Sequence, residues 1–360
     1  MNIVFVTNTL NQVGGIERVI ERLSNYFIEV LNYNIHIISV YSTHNDNFFK
    51  LNKNISVTNL GIKYSENNSL KSRFFKCKEI NNRIKEVLKG KEFDVIMTFH
   101  STISSAILFN KKNFKEKIVV TEHNSYKYYS KLRHIINIIN YRKADKLVVL
   151  TQSDKKFYSK FKKNVEQIPN SIPFSNDIFP NYNNKRIISV GRIEEVKGFD
   201  YLIDAFYLIY KKYPEWTLHI VGDGTQKQIL EDKIKKYNLE KQVIIEPFTK
   251  EIKSKYLESS IFTLSSRFEG FSLVTLEAME CGLPIVSFDI DAAMEILKDR
   301  EDSLIVEKFN VKEFSEKLSV LMDDEKKREN YGKMGKKNVQ RYNINQIGMK
   351  WNELFKSMVK

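Results

Sequence analysis

One pattern constrains the fold more than any other feature of this chain: short β-branched runs alternate with helical periodicity, and the alternation starts twice. Runs at 3–6, 35–40, 55–60, 95–98, 118–121 and 147–150 are separated by helical stretches near 15–31, 70–89, 101–110 and 152–162. A loop then runs from Ile168 to Asn184, punctuated by Pro169, Pro173 and Pro180 with clustered Asn residues, as turns and linkers are. Beyond it the pattern restarts, with strand candidates at 187–190, 217–221, 243–245, 262–264, 285–287 and 304–306. Helices near 199–211, 225–237, 250–258, 273–281, 291–297 and 311–321 fall between and beyond them. Strands alternating with helices predict a parallel, doubly wound sheet. The length of 360 residues suits two such domains of about 150–180 residues each. We place them at 1–175 and 185–342. The stretch 325–360 reads as helical, and Tyr342, Ile344, Ile347, Trp351, Leu354 and Phe355 give it an apolar side.

The chemistry is concentrated at 266–279, which reads Ser-Arg-Phe-Glu-Gly-Phe-Ser-Leu-Val-Thr-Leu-Glu-Ala-Met, with Cys-Gly-Leu-Pro at 281–284. Glu269 precedes Gly270 and belongs to a loop. Leu273, Leu276 and Met279 recur at helical spacing, so Glu277 belongs to a helix. The backbone N–H groups of Ser272, Leu273, Val274 and Thr275 are then free donors at a helix start, a ready anion site. A carboxylate beside such a site suits a ligand with hydroxyls at one end and phosphate at the other, as in a nucleotide sugar. A second motif, Gly-Arg-Ile-Glu-Glu-Val-Lys-Gly at 191–198, follows the strand at 187–190. It puts Arg192 and Lys197 at a strand's carboxyl end, where open α/β sheets place ligands. Two cations in one loop can neutralise a leaving diphosphate without a metal. Gly14 and Gly15 follow the first strand and open the first helix, where backbone N–H groups can approach a phosphate. This pair lacks the three-glycine dinucleotide fingerprint. His123 closes the strand at 118–121, and His100 follows the strand at 95–98.

The spacing of Glu269 and Glu277, the Gly-Phe after the first of them and the Gly-x-Pro after the helix resemble glycosyltransferase family 4. The Gly-Arg…Lys-Gly loop matches that family as well, and so do the turn of Gly222, Asp223 and Gly224 and the Gly-Gly-x-Glu at Gly14. The resemblance covers nearly the whole chain, is strongest over 187–306, and is only a matter of pattern over 40–115. It implies a GT-B fold, in which two Rossmann-like domains face a cleft and the last helix, near 343–360, crosses back to the first. It also implies a retaining enzyme that binds its nucleotide-sugar donor on the second domain and its acceptor on the first. Carried over residue by residue, Arg192, Lys197 and the helix start at Ser272, Leu273 and Val274 stabilise the departing nucleoside diphosphate. Glu277 binds ribose hydroxyls, and Glu269 supports charge at the sugar. Gly270, Phe271 and Ser272 offer backbone groups to that sugar. His123 contacts it from the first domain, and Gly14 and Gly15 face the diphosphate. Asp289 and Asp291 mimic an Asp-x-Asp metal motif but follow the Gly-x-Pro strand, and we read them as a decoy. No metal or other cofactor is expected. The family's glycine turn before Glu-Ile is absent from Ala292, Ala293, Met294, Glu295 and Ile296, which removes the basis for donor contacts from that loop.

Composition narrows the setting. Cys77 and Cys281 are too few and too far apart to suggest a disulfide framework, which fits a reducing cytoplasm. The start reads as a buried strand rather than a signal peptide, and no apolar run approaches the roughly 18–20 residues that span a bilayer. The net charge of +14 is one-sided: residues 1–175 carry 28 Lys and Arg against 14 Asp and Glu, whereas residues 176–360 carry 30 against 30. Lys71, Arg73, Lys76, Lys78, Arg83, Lys85, Lys89 and Lys91 interleave with Phe74, Phe75, Ile80, Ile84, Val87 and Leu88. A second basic–aromatic segment runs from Tyr126 through Arg133 into Ile135, Ile136, Ile138 and Ile139. Both suit an anionic membrane surface. With no zinc-finger spacing or RRM signature, we expect no nucleic-acid partner. The expected activity is sugar transfer, of a UDP-linked sugar in the family's manner, to a lipid-linked or cell-surface glycan at the inner face of the cell membrane. An epimerase of the same fold, or a non-catalytic glycan- or nucleic-acid-binding protein, is the alternative.

Overall fold

A computed structural model describes residues 1–12, 14–43, 49–63 and 70–359. The chain divides into two units, Met1–Ser171 with Tyr342–Lys360, and Ile172–Arg341.

The first unit is built on seven strands: β1 (Asn2–Thr7), β2 (Asn34–Ser39), β3 (Ser56–Asn59), β4 (Val95–Thr98), β5 (Lys117–Glu122), β6 (Lys146–Val149) and β7 (Val165–Gln167). They pair in parallel throughout, in the order β3-β2-β1-β4-β5-β6-β7. Ile3, Val4, Phe5 and Val6 are wholly buried, as expected of a strand covered by helices on both faces. Those helices are α1 (Gly15–Glu29), α2 (Leu70–Leu88), α3 (Ser101–Phe109), α4 (Lys131–Tyr141) and α5 (Gln152–Tyr158). On α2, Ile80, Ile84 and Leu88 enter the core, while Phe74 and Phe75 stay exposed.

The second unit has six strands: β8 (Arg186–Val190), β9 (Thr217–Val221), β10 (Val243–Glu246), β11 (Ile261–Leu264), β12 (Ile285–Phe288) and β13 (Ser303–Val306). They are again parallel, in the order β10-β9-β8-β11-β12-β13. The helices are α6 (Phe199–Tyr207), α7 (Lys227–Lys236), α8 (Ile252–Leu257), α9 (Leu273–Glu280), α10 (Asp291–Ile296), α11 (Val311–Asp323) and α12 (Glu325–Asn338). Both sheets reverse direction of growth beside their first strand, between β1 and β4 and between β8 and β11. In doubly wound sheets this switch point opens a crevice at the strands' carboxyl ends.

The last helix, α13 (Ile344–Met358), belongs to the first unit. The Asn343 side chain caps it by accepting from the N–H of Gln346 at 3.1 Å. Ile347, Trp351 and Phe355 are buried, each contributing about 1.5–3 kcal/mol by leaving water. The Phe355 ring meets Phe27 of α1 edge-on at 5.6 Å. Gly348 lets the helix approach Tyr26 so closely that a Cβ would lie 2.1 Å from its ring.

Strand β7 went unread in the sequence because Val165, Glu166 and Gln167 offer neither an apolar run nor alternation. Among the described residues, no helix is long and apolar enough to cross a membrane.

Candidate functional site

The motif residues of the second unit converge at its switch point. The loop after β8 and the loop after β11 lie side by side because β8 and β11 are paired neighbours. The backbone stitches them together: the Arg267 N–H donates to the Val196 carbonyl at 2.8 Å, and the Ser265 hydroxyl donates to the Lys197 carbonyl at 3.1 Å. Gly198 makes this approach possible. It sits at φ +62°, and a Cβ there would lie 2.1 Å from the Ser265 carbonyl oxygen. Arg267 clamps the junction with a bidentate pair to Asp200 at 2.9 and 2.8 Å and packs over the Tyr201 ring at 4.5 Å.

This stitching brings together two residues 72 positions apart. Lys197 Nζ lies 2.6 Å from Glu269 Oε1, with both side chains largely buried. Ser266 donates to the same carboxylate oxygen at 2.7 Å. Arg192 stays exposed at the end of β8, and its field helps hold the Glu194 carboxyl below its usual range, after two hydrogen bonds from Thr225. The glycine turn that follows β9 supports the loop: a Cβ on Gly222 would lie 1.9 Å from the Gly191 carbonyl oxygen.

Helix α9 begins at Leu273, as its periodicity predicts, with Ser272 at the N-cap. The Ser272 hydroxyl accepts from Thr275 Oγ1 at 2.8 Å and caps no backbone N–H. One expectation needs correction. The Thr275 N–H is not a free donor, because the first turn tightens and it bonds the Ser272 carbonyl at 3.2 Å. The donors left to meet an anion are those of Ser272, which is buried, and of Leu273 and Val274, both on half-buried residues. Phe271 is buried, so its backbone rather than its ring is available. Gly270 is half-buried beside it. Glu277 is buried inside α9, where its carboxylate accepts from the Tyr256 hydroxyl at 2.9 Å. Tyr256 was missed in the sequence, since an isolated Tyr carries no periodic or spacing signal, and Ser266 and Arg267 stand in the motif at 266–279 with no role assigned to them from it.

In the first unit, Gly14 is the N-cap of α1 and Gly15 its first residue. A Cβ on Gly14 would collide with Glu17 Oε2 at 2.1 Å, so this turn holds a buried carboxylate over a bare backbone. His123 follows β5 and stacks on Phe99 with ring centroids 5.7 Å apart. Its tautomer follows from its neighbour. The Thr121 hydroxyl donates to the Thr98 carbonyl at 2.7 Å, so at 2.9 Å it accepts from His123 Nε2–H, and Nδ1 is left as the ring's acceptor. His100 Nε2 lies 3.2 Å from the Thr7 hydroxyl.

Burial pushes His123 down to about 3 and His100 to about 4, with the field of His100 adding to the effect on His123. Burial, then Lys91, brings His36 to about 4. All three rings are neutral near pH 7. Their folded-state values lie below the unfolded one, so the unfolded chain binds more protons as the pH falls from about 6.5 towards 4. Their contribution to stability is therefore complete above pH 6.5 and is lost across that window. Glu122, raised by burial, acts in the opposite sense. We expect acidification from pH 7.5 to 5 to cost on the order of 1–2 kcal/mol for each of His100 and His123, and less for His36. Melting temperatures across that range check this: His123→Gln should flatten the slope, and a flat wild-type profile contradicts the assignment.

Asp289 accepts from the Lys308 N–H at 2.9 Å, and Asp291 opens α10. Among the described residues, no three His, Cys, Asp or Glu side chains are grouped so as to hold a metal ion.

Two parallel doubly wound units, one with a cation–carboxylate pair beside a helix start at its switch point, define the GT-B class of α/β transferases. Comparison with known proteins agrees. The family description "Glycosyltransferase Family 4" matches residues 13–175, and "Glycosyl transferases group 1" matches 173–338. An uncharacterized glycosyltransferase of Haemophilus influenzae is 30% identical over 330 residues, spanning 89% of this chain and 90% of the relative. The amylovoran biosynthesis glycosyltransferase AmsD of Erwinia amylovora is 29% identical over 98% of this chain and 99% of its own. A Campylobacter jejuni α-1,4-N-acetyl-D-galactosaminyltransferase, named for a diNAcBac-PP-undecaprenol-linked substrate, is 26% identical over 98% of both chains. Sucrose-phosphate synthase from Thermosynechococcus elongatus has the same fold, with a TM-score of 0.85 at 16% identity over 99% of both chains. So does S. aureus TarM, solved with UDP, with a TM-score of 0.82 at 16% identity over 99% of this chain and 100% of that one. The chain belongs to the group 1/family 4 glycosyltransferases and is a transferase of GT-B fold.

Proposed function

We propose that this glycosyltransferase is retaining and metal-independent, and that it moves a sugar from a nucleotide-sugar donor, a UDP-sugar in our reading, to a lipid-linked or cell-surface glycan. We place it in the cytoplasm, peripheral on the anionic inner face of the cell membrane. The observation that carries the proposal is the 2.6 Å pair of Lys197 and Glu269 beside the uncapped start of α9.

In this reading the bond between the sugar's anomeric carbon and the diphosphate breaks, and its electrons go to the phosphate oxygen. Arg192, Lys197 and the N–H groups of Leu273 and Val274 meet that charge, and such preorganised donors contribute most where charge develops. Glu269, held by Lys197 and Ser266, supports the positive charge on the sugar, and backbone groups of Gly270, Phe271 and Ser272 hold its hydroxyls. The acceptor hydroxyl oxygen bonds the anomeric carbon, and its proton goes to the leaving phosphate. Glu277, oriented by Tyr256, takes the ribose hydroxyls. On the first unit, Gly14 and Gly15 offer backbone N–H groups to phosphate, and the bare Nδ1 of His123 accepts from a sugar hydroxyl.

The one-sided charge of residues 1–175 supports the membrane placement. The Campylobacter relative, named for a PP-undecaprenol-linked substrate, supports a lipid-linked acceptor, and the UDP in the TarM structure supports the nucleotide.

A melting screen against UDP-, GDP-, ADP- and TDP-sugars, each with and without EDTA, tests this. A UDP-sugar at 100 times its dissociation constant should stabilise the fold by about 2.7 kcal/mol, and turnover should survive EDTA. No shift with any donor removes the donor assignment. Loss of turnover in EDTA with recovery in Mn²⁺ would bring Asp289 and Asp291 back as ligands. Turnover without an acceptor that yields an epimer would favour the epimerase.

A further inference from the structure

We infer that the groove bounded by α2, the start of α3 and α4 holds the head of a lipid diphosphate, and that the outer face of α4 lies in the lipid surface that carries it. The inference rests on the membrane-surface glycosyltransferase reading above and names the acceptor's anchor.

The first observation is that α4 is inside out for a water-facing helix. Leu132, Ile135 and Ile139 form one stripe and are 61%, 55% and 53% exposed. The buried side carries Asn137, wholly enclosed, with neither its Oδ1 nor its Nδ2 hydrogen-bonded. It also carries Tyr141, whose hydroxyl donates to the buried Glu122 carboxyl at 2.6 Å. A helix that hides amides and shows isoleucines to the outside matches an apolar medium there rather than water. Tyr128, Phe74 and Phe75 are exposed as well, and the Phe74 ring lies edge-on to Phe109 at 5.0 Å.

The second observation is the groove itself, about 770 Å³ in volume and edged by the exposed Tyr128 and Leu132. Arg73 and Lys76 line it from α2 and Arg133 from α4, and among the described residues no Asp or Glu lines it. The Arg133 guanidinium donates to the Ser101 hydroxyl at 3.0 Å, which holds it in place. Cys77 lines the groove too; burial raises its thiol, and the fields of Arg133 and Arg73 oppose that rise. Lys76 is already paired with Glu79 at 3.2 Å, so the guanidiniums of Arg73 and Arg133, one on each facing wall, are the donors that suit a diphosphate bridging them. The volume falls in the range of small-molecule sites. A cationic groove opening onto an apolar face is complementary to an amphiphile with a diphosphate head.

The test is vesicle sedimentation of the full chain. The probes are neutral phosphatidylcholine vesicles carrying a polyprenyl diphosphate, the same vesicles carrying phosphatidylglycerol at equal charge, and phosphatidylcholine alone. Wild type should favour the diphosphate vesicles over both others, and inorganic pyrophosphate should compete. Arg73→Gln with Arg133→Gln should weaken diphosphate binding by about 10–30-fold, the loss of two surface cations, and Arg73→Lys with Arg133→Lys should restore part of it. Ile135→Gln with Ile139→Gln should reduce vesicle binding while pyrophosphate still raises the melting temperature. Equal binding of phosphatidylglycerol and diphosphate vesicles, no competition by pyrophosphate, or unchanged binding in either Gln pair overturns the inference. The pyrophosphate competition uses wild type alone and decides the matter even if a variant fails to fold. A wild type that UDP does not stabilise is a failure of the donor reading instead.

Discussion

Replacing Lys197 with alanine should lower turnover at saturating donor by about 10²–10³, the scale for losing one preorganised charge-stabilising group. Arg192→Ala should fall in the same range if the two cations share the leaving diphosphate. The structure adds a distinction between them. Lys197 is paired with Glu269 at 2.6 Å and among the described residues Arg192 makes no such pair, so Lys197→Ala also leaves a largely enclosed carboxylate that keeps the Ser266 hydroxyl against it. Breaking a buried pair by removing one partner costs more than removing both. Lys197→Ala should therefore lower the melting temperature as well as the rate, whereas Arg192→Ala should change the rate alone. In a double-mutant cycle with Glu269→Ala, the coupling should be about 0.5–3 kcal/mol. Near wild-type rates in both single variants would remove the diphosphate clamp from the proposal, and a coupling near zero would mean the pair is only a surface contact.

Gly198→Ala should be the most damaging single-methyl change in the site. The left-handed backbone costs about 1–2 kcal/mol for a residue with a Cβ. Gly90 provides the control, because it is also left-handed, at φ +75°, but has open space where a Cβ would go. Gly90→Ala should lose the backbone term alone. Gly198→Ala should lose more, since the methyl would force apart the two loops that seat Lys197 against Glu269. Thermal melts of the two variants give the difference, and UDP-induced stabilisation reports whether the site has opened. Equal losses would mean the close contact with Ser265 relaxes without consequence, and the loop stitching would not be what positions the pair.

The fold was legible because its signals are local. Each strand of the first sheet except β7 shows as a β-branched run, and the helix starts that matter to the site follow a glycine or, at α9, a serine. Gly191 to Gly198 and Glu269 to Glu277 could be read as site residues because motif spacing survives on a single stretch of chain. The free donor assigned to Thr275 was misread because sequence does not reveal whether a first helical turn tightens onto its own N-cap carbonyl.

The sequence by itself determined two doubly wound sheets, the basic bias of the first half, and which loops carry cations and carboxylates. These follow from periodicity and composition, which are properties of neighbours along the chain. Only the tertiary structure decided that Lys197 meets Glu269 across 72 residues, that Tyr256 holds Glu277, and that His123 is a neutral ring with a bare Nδ1. Those contacts come from strand order and close packing, which no local pattern encodes. The case of α4 separates the two most clearly. Its apolar stripe is plain in the sequence, but a stripe does not say which way it faces. The fold turned it outward, because the sites beneath are taken by Tyr141, Asn137 and Glu122.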